Sequence, residues 1–153
     1  MLALKIEDIR DFMSQMLKKD TFDAFEARDV KITTFTDFDI SCDINKDFYP
    51  DPKEAPAHCL WSDIKPFVFE IVKGKSLPRF MKIVFAADTS LMESLSPNAS
   101  VFYINISFEN SALTLTTGCG MKTFTLDKSA ELKWDEYIKE FLNTKKVSVS
   151  TLI

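Results

Sequence analysis

The sequence predicts an α+β domain in which a mostly antiparallel sheet packs against about three helices. Two kinds of hydrophobic periodicity alternate along the chain, with spacings of three and four typical of helices and alternation typical of strands. Three strand-like runs also follow one another closely between residues 101 and 126, as in an antiparallel meander. With 153 residues, the chain is long enough for one domain with a core and too short for two ordinary ones.

The first third of the chain predicts a strand, a helix and a pair of strands. The apolar side chains of residues 6–17 lie on one stripe of a predicted helix. Acidic residues lie near its N-terminal end, where the helix dipole favours negative charge. A short strand is predicted before this helix, at residues 2–5. Alternation over residues 22–45 predicts two strands joined by a turn near Thr36. Residues 46–58 contain three prolines and are predicted to form a long loop.

The rest of the chain predicts two longer helices, a short one and four strands. Residues 61–73 have helical spacing, and Gly74 ends the helix. The elements predicted after it are a strand at 80–87, a short helix at 89–95, strands at 101–109, 112–117 and 121–126, and a helix at 132–142. Residues 1–146 are predicted to form the single domain, and residues 147–153 a C-terminal tail or a terminal strand.

Composition predicts a folded cytoplasmic protein that does not enter a membrane. A hydrophobic fraction of 46% with 14 phenylalanines excludes a largely disordered chain. The longest uncharged stretch, residues 94–108, is too short to span a bilayer and contains Pro97. The N-terminus lacks the pattern of a secretory signal. Three cysteines without a close pair favour free thiols in a reducing cytoplasm.

Charge is distributed unevenly along the chain. The net charge of −4 argues against nucleic-acid binding by bulk electrostatics. Residues 1–60 carry 13 acidic and 8 basic side chains, whereas residues 61–82 carry 2 acidic and 5 basic ones. The five cations of this basic segment are Lys65, Lys73, Lys75, Arg79 and Lys82. An anionic partner is expected to bind here if it binds at all.

Two of the three glycines, Gly118 and Gly120, flank Cys119. Glycines at these positions could let a ligand approach the backbone or expose Cys119 as a nucleophile. The simpler interpretation is a tight turn between two strands, with Cys119 as a bystander. A catalytic cysteine normally needs a histidine base, and His58 is the only histidine. No catalytic residue is therefore predicted, and Cys119 stays an alternative candidate.

No cofactor and no metal are predicted. The common nucleotide-binding and hydrolase motifs do not occur in the sequence. His58 and Cys59 are adjacent potential zinc ligands, but they fall short of a four-ligand site.

The two tryptophans mark a weak internal similarity. Trp61 and Trp134 each begin a helical stripe after a pair of strand-like runs. A pseudo-twofold domain would explain this match, but chance similarity of strand-rich segments is the favoured explanation.

Two resemblances extend these inferences. The segments MLALKIEDI, IVKGKSLP, KIVF and MKTFTLDKSAELKWDEYIKEFL resemble a family of short clostridial proteins of unknown function. This resemblance covers nearly the whole chain and implies a bacterial cytosolic origin. Because no activity is assigned to that family, the resemblance implies no function for any residue here. The element order, with the segment ALTLTTGCGMKTFTL, is similar to one domain of a DNA sliding clamp. The chain departs from a clamp in its extra closing helix, its single domain and its negative charge.

These observations favour a non-catalytic cytosolic binding or interaction domain. Its partner is not predicted: a protein is one candidate, and a nucleic acid is a less favoured one. The first alternative is a clamp-like or nucleic-acid-associated module that uses the basic segment. The second is a thiol enzyme built on Cys119. The predicted ligand-binding or anion-binding residues are Lys65, Lys73, Lys75, Arg79, Lys82, Gly118 and Gly120.

Overall fold

In the computed structural model, which describes residues 1–74 and 76–152, four helices pack against an eight-stranded antiparallel sheet. The strands are β1 (Ala3–Ile6), β2 (Glu26–Thr33), β3 (Asp37–Ile40), β4 (Cys59–Leu60), β5 (Phe80–Ala86), β6 (Ala99–Glu109), β7 (Ala112–Met121) and β8 (Val149–Thr151). The helices are α1 (Ile9–Leu17), α2 (Trp61–Val72), α3 (Thr89–Leu95) and α4 (Ser129–Thr144). The predicted α+β class is confirmed.

The strands follow the order β3-β2-β5-β6-β7-β1-β8, and β4 pairs with β2 outside this path. Consecutive strands β5, β6 and β7 form the central meander. The sequence predicts its β6–β7 pair but places the third strand after β7, whereas the structure has β5 on the other side of β6. The first strand, β1, returns to pair with β7, and β8 then pairs with β1. Residues on opposite ends of the sequence therefore lie side by side at one edge of the sheet.

The sheet buries only one of its two faces. Its central buried row runs across five strands and consists of Leu4, Leu115, Ile106, Ile83 and Val30. Because successive side chains of a strand point to opposite faces, the alternate residues form a second, open face. The helices pack on the buried face, where the Trp134 indole stacks on Phe102 with ring centroids 5.1 Å apart.

Aromatic rings join three elements around Phe22, which lies between α1 and β2. Its ring centroid is 5.4 Å from that of Phe12 in α1 and 5.3 Å from that of Phe85 in β5. Phe141 of α4 contacts it edge-on at 5.5 Å. Because such ring pairs add to the free energy of apolar burial, this cluster ties both helices to the sheet.

Helix α2 is held in place through its first two turns. The Trp61 indole N–H donates to the carbonyl of Met16 in α1 across 2.8 Å, fully buried. One turn later, the Lys65 ammonium bonds the Asp23 carboxylate at 2.7 Å and the Lys19 carbonyl at 3.0 Å. These contacts fix the start of α2 against α1 and the chain that follows it.

The prediction of a turn at Gly118 and Gly120, followed by a strand at 121–126, is wrong. Strand β7 continues through both glycines to Met121, paired with β6 along its whole length. The chain then passes through a connection without regular structure to α4. Both glycines have ordinary strand backbone angles, since among described glycines only Gly74 has a positive φ.

None of the helices within residues 1–74 and 76–152 has the length and apolar character needed to cross a bilayer.

We expect Trp61→Phe to lower the free energy of unfolding by about 1–3 kcal/mol, because it leaves the buried Met16 carbonyl without its donor. Denaturant unfolding at pH 7 measures the effect. Phe35→Leu is the control, since Phe35 is 92% exposed and its replacement should change stability by less than about 0.5 kcal/mol. Equal stability of the wild type and the Trp61 variant would contradict the anchoring role of this indole.

Candidate functional site

A groove of about 760 Å³ lies between α1, the end of α2 and the residues that follow α2. Its apolar walls are formed by Ile9, Met13, Leu17, Phe69, Val72 and Leu77. The exposed fraction of Leu77 is 63%, so the groove is open to solvent along this side.

Helix α1 contributes one wall because it carries two apolar stripes. Ile9, Met13 and Leu17 recur every four residues and line the groove, as side chains at this spacing share a helix face. The neighbouring stripe contains Phe12 and Met16, which are fully buried in the core. Leu17 is itself buried, whereas Ile9 and Met13 are only partly buried, so the apolar surface that α1 still presents outward comes from these two residues.

Helix α2 contributes the other wall because its apolar surface exceeds what the core covers. Seven of its twelve residues are apolar, yet only Trp61 and Val68 are buried. Phe67 is 65% exposed, and Phe69 and Val72 line the groove. Phe69 and Val72 are only partly buried against the core, so α2 keeps apolar surface open to solvent on the side that faces the groove.

The charged residues that line this apolar groove are all cations. The described lining contains no carboxylate. The cations are Arg10, Lys18 and Lys73. The Lys73 ammonium lies 2.5 Å from the Glu70 carboxylate, but both side chains are more than half exposed, so the pair is weak. Arg10 and Lys18 form no ion pair within the described part of the chain. The groove is therefore locally positive in a protein of net charge −4.

Residues 15–150 match the family of unknown function DUF5721. The chain belongs to this family. No curated protein and no solved structure matches the chain. The predicted membership of an uncharacterised family is thus confirmed, while the clostridial origin and the likeness to a sliding-clamp domain stay predictions. The DUF5721 match includes the whole α2 wall of the groove, and Ile9, Arg10 and Met13 of α1 precede it.

In this DUF5721 member, the predicted basic segment is dispersed over several surfaces. Lys65 is held by Asp23, and Lys73 lies at the groove. Arg79 lines a separate cavity with Glu109 at the start of β5. Lys75 lies outside the described residues. The cations disperse because α2 and β5 belong to different layers of the fold.

Lys82, the last predicted cation, lies on the open face of the sheet. It belongs to a row across six strands that consists of Lys5, Thr114, Ser107, Lys82, Lys31 and Asp39. The Lys31 Nζ lies 3.6 Å from the Asp39 Oδ2. The adjacent rows of this face contain Asp29, Asp37 and Glu109. The charges of the open face therefore nearly balance.

Cys119 is half-buried in β7, and burial together with Glu131 and Asp135 raises the pKa of its thiol. His58 precedes β4, which is four strand spacings, about 19 Å, from β7. That separation excludes a direct proton transfer between the two side chains. No group of three metal-binding side chains occurs among the residues that the structure covers.

Gly118 and Gly120 serve the pairing of β7 with β6. Gly118 lies opposite Tyr103, and a Cβ added there would be 3.7 Å from the Tyr103 side chain, an ordinary contact. A Cβ at Gly120 would lie 2.9 Å from both Ser100 Oγ and Val101 Cγ1, at an irregularity of β6. A glycine at 120 is thus favoured, because any larger residue would have to displace the Ser100 or Val101 side chain of the neighbouring strand.

Sequence reasoning found Lys73 and missed the other groove residues, including Arg10, Lys18 and Leu77. The signal that could have found the groove is the apolar excess of α2, where Phe67 and Phe69 fall on different helix faces. Periodicity assigns such residues to the core by default. It cannot show that the far wall comes from α1, more than fifty residues earlier in the chain.

We expect Cys119 of the folded protein to react with iodoacetamide at pH 8 more slowly than free cysteine, because its raised pKa lowers the thiolate fraction. The rate should keep rising as the pH passes 9, the ordinary value for this group. Mass spectrometry of the peptide that contains Cys119 follows the modification. A rate above that of free cysteine would instead support the thiol-enzyme alternative.

Gly120→Ala should lower the free energy of unfolding by about 1 kcal/mol, through the contacts with Ser100 and Val101. Gly118→Ala is the matched control in the same strand, and its effect should stay within about 0.5 kcal/mol, since the added methyl meets only ordinary contacts. Thermal unfolding of both variants measures the difference. The reverse order of stability would contradict the close-approach role of Gly120.

Proposed function

We propose that this chain is a non-catalytic, cytosolic binding domain that holds a segment of a partner protein in the groove between α1 and α2. The apolar walls supply the attraction, because burying them removes apolar surface from water. Because the groove lies on the outside of the helical layer, a partner can bind there without disturbing the sheet.

The apolar surface of α2 is the observation that carries this proposal. Exposed apolar side chains scattered singly are normal on proteins. Here Phe69, Val72 and Leu77 instead line one groove together with Met13 of α1. Contiguous apolar grooves of this kind are typical of interaction sites.

The placement of the reactive groups supports a non-catalytic role. The Cys119 thiol has a raised pKa, and the sheet separates it from His58. Neither residue lines the groove. A nucleophile with a remote base and a low thiolate fraction lacks the features of an activated cysteine. The free state of all three cysteines fits a reducing compartment.

The nucleic-acid alternative has weaker support. Its cations lie on different surfaces, and Lys82 shares the open face of the sheet with nearby carboxylates. Affinity for a polyanion grows with the number of phosphates that one continuous surface can neutralise. The groove binds through apolar contacts and so depends much less on a large positive surface.

Leu77→Asp should abolish partner binding without unfolding the protein, since this groove residue is already 63% exposed. Leu132→Asp is the matched control, because Leu132 is 61% exposed and lies on α4, away from the groove. Affinity capture from the source cells with wild-type and variant baits, followed by quantitative mass spectrometry, compares the partners retained. Circular dichroism confirms that each bait is folded.

The expected result is a set of proteins retained by the wild type and by the Leu132 variant at least about tenfold more than by the Leu77 variant. Identical sets for all three folded baits would contradict the groove as the binding site.

A further inference from the structure

We propose that the segment bound in the α1–α2 groove is an acidic amphipathic helix. This inference rests on the proposed function and specifies its partner. The apolar side of the helix would lie between Met13 and Val72, and its carboxylates would lie over the cations at the rim.

The shape of the groove favours a helix. Its α1 wall is nine residues long, about 13 Å at 1.5 Å per residue. Ile9 and Met13 are spaced by four residues along this wall and are only partly buried, so they form a short ridge that a second helix can pack beside, with the buried Leu17 below its end. Three turns of helix with apolar residues at i, i+3 or i+4 and i+7 match this length, which is the usual pattern of helix-in-groove recognition.

The charges of the groove favour acidic flanks on that helix. Arg10, Lys18 and Lys73 line it, and the described lining contains no carboxylate. Lys18 and Lys73 follow the last turns of α1 and α2, where the helix dipole alone favours a cation. The helix dipole does not explain the presence of a cation at Arg10.

Arg10 is the second residue of α1, two positions after the N-cap Asp8. The dipole disfavours a cation at this end of a helix. Arg10 also forms no ion pair with any residue that the structure describes. Glu7, Asp8 and Asp11 lie within one helical turn of Arg10, but none of them forms an ion pair with it, so its guanidinium can pair with a carboxylate supplied by the partner.

The spacing of the two α1 cations predicts the spacing of the partner's carboxylates. Arg10 and Lys18 are eight residues apart, about 12 Å along the helix axis. Carboxylates at positions i and i+7 or i+8 of a helix lying alongside α1 would meet both cations. Apolar anchors between these positions would face the groove.

A small anionic amphiphile fits the groove less well than a helix does. Sites for small ligands typically bury most of the ligand surface. Here Lys73 is 55% exposed and Leu77 is 63% exposed, so one side of an acyl chain would stay in water. A helix leaves its own polar side in water without cost.

Three displayed pools of helical peptides of about 14 residues test the charge of the partner. The pools share apolar anchors at i, i+3, i+4 and i+7, and their flanking positions carry Glu in one pool, Gln in the second and Lys in the third. Retention on the full chain is compared with retention on the Leu77→Asp variant, which reports groove binding. The expected result is groove-dependent enrichment of the Glu pool over the other two.

A charge-matched pair of double variants then identifies the cations involved. Arg10→Gln with Lys18→Gln should weaken binding of an enriched Glu peptide about 5- to 30-fold at low salt, as two exposed ion pairs are lost. Lys133→Gln with Lys139→Gln removes the same charge from α4 and should change binding less than about twofold. Fluorescence anisotropy measures both affinities.

The outcomes separate this inference from the proposed function. Groove-dependent enrichment of the Gln or Lys pool, or equal weakening by the two double variants, would overturn the acidic helix and leave the groove as a binding site. Equal retention of every pool by the wild type and the Leu77 variant would overturn the groove itself. A dimer in sedimentation velocity that Leu77→Asp dissociates would identify a second copy as the occupant and overturn the inference.

Discussion

The anchoring of α2 by Trp61 is the contact on which the arrangement of the helical layer depends. The indole N–H reaches the Met16 carbonyl, and the ring packs edge-on against Phe85 of the sheet, 5.0 Å between centroids. One residue thus joins α1, α2 and β5. Lys65 reinforces the same end of the helix through Asp23. The anchor holds the first two turns and leaves the last turn of α2 to face α1 across the groove.

The one-sided burial of the sheet explains why the groove is the strongest candidate site. Every helix packs against the face that carries Phe85 and Phe102, so apolar surface that the core does not use accumulates on the outside of this layer. The opposite face carries half-buried apolar residues such as Val84 and Tyr103, but its charges, among them Lys31, Lys82 and Asp29, nearly balance. Apolar attraction and local positive charge therefore coincide only at the α1–α2 groove among the surfaces described above.

Periodicity predicted much of the fold, because α1 and the meander strands bury regular faces whose spacing is visible in the sequence. It failed at Gly118 and Gly120, where glycine was taken as a turn signal although Gly120 serves the close approach of two strands. Nor could it show whether the cations of the basic segment share one surface. The chain crosses from the helical layer into the sheet between Lys73 and Lys82, and no one-dimensional pattern shows that change of layer.

A two-dimensional ¹H–¹⁵N correlation spectrum of the full chain, recorded with increasing amounts of an acidic amphipathic helix, tests the central claim most directly. If the helix binds in the groove, peak shifts should be confined to amides of α1, the second half of α2 and the residues that follow it. Amides of the β5–β7 meander should not shift, except at the ends of these strands. Shifts centred on the row of Lys5, Ser107 and Lys82, with α1 and α2 unaffected, would contradict the groove and place binding on the open face of the sheet.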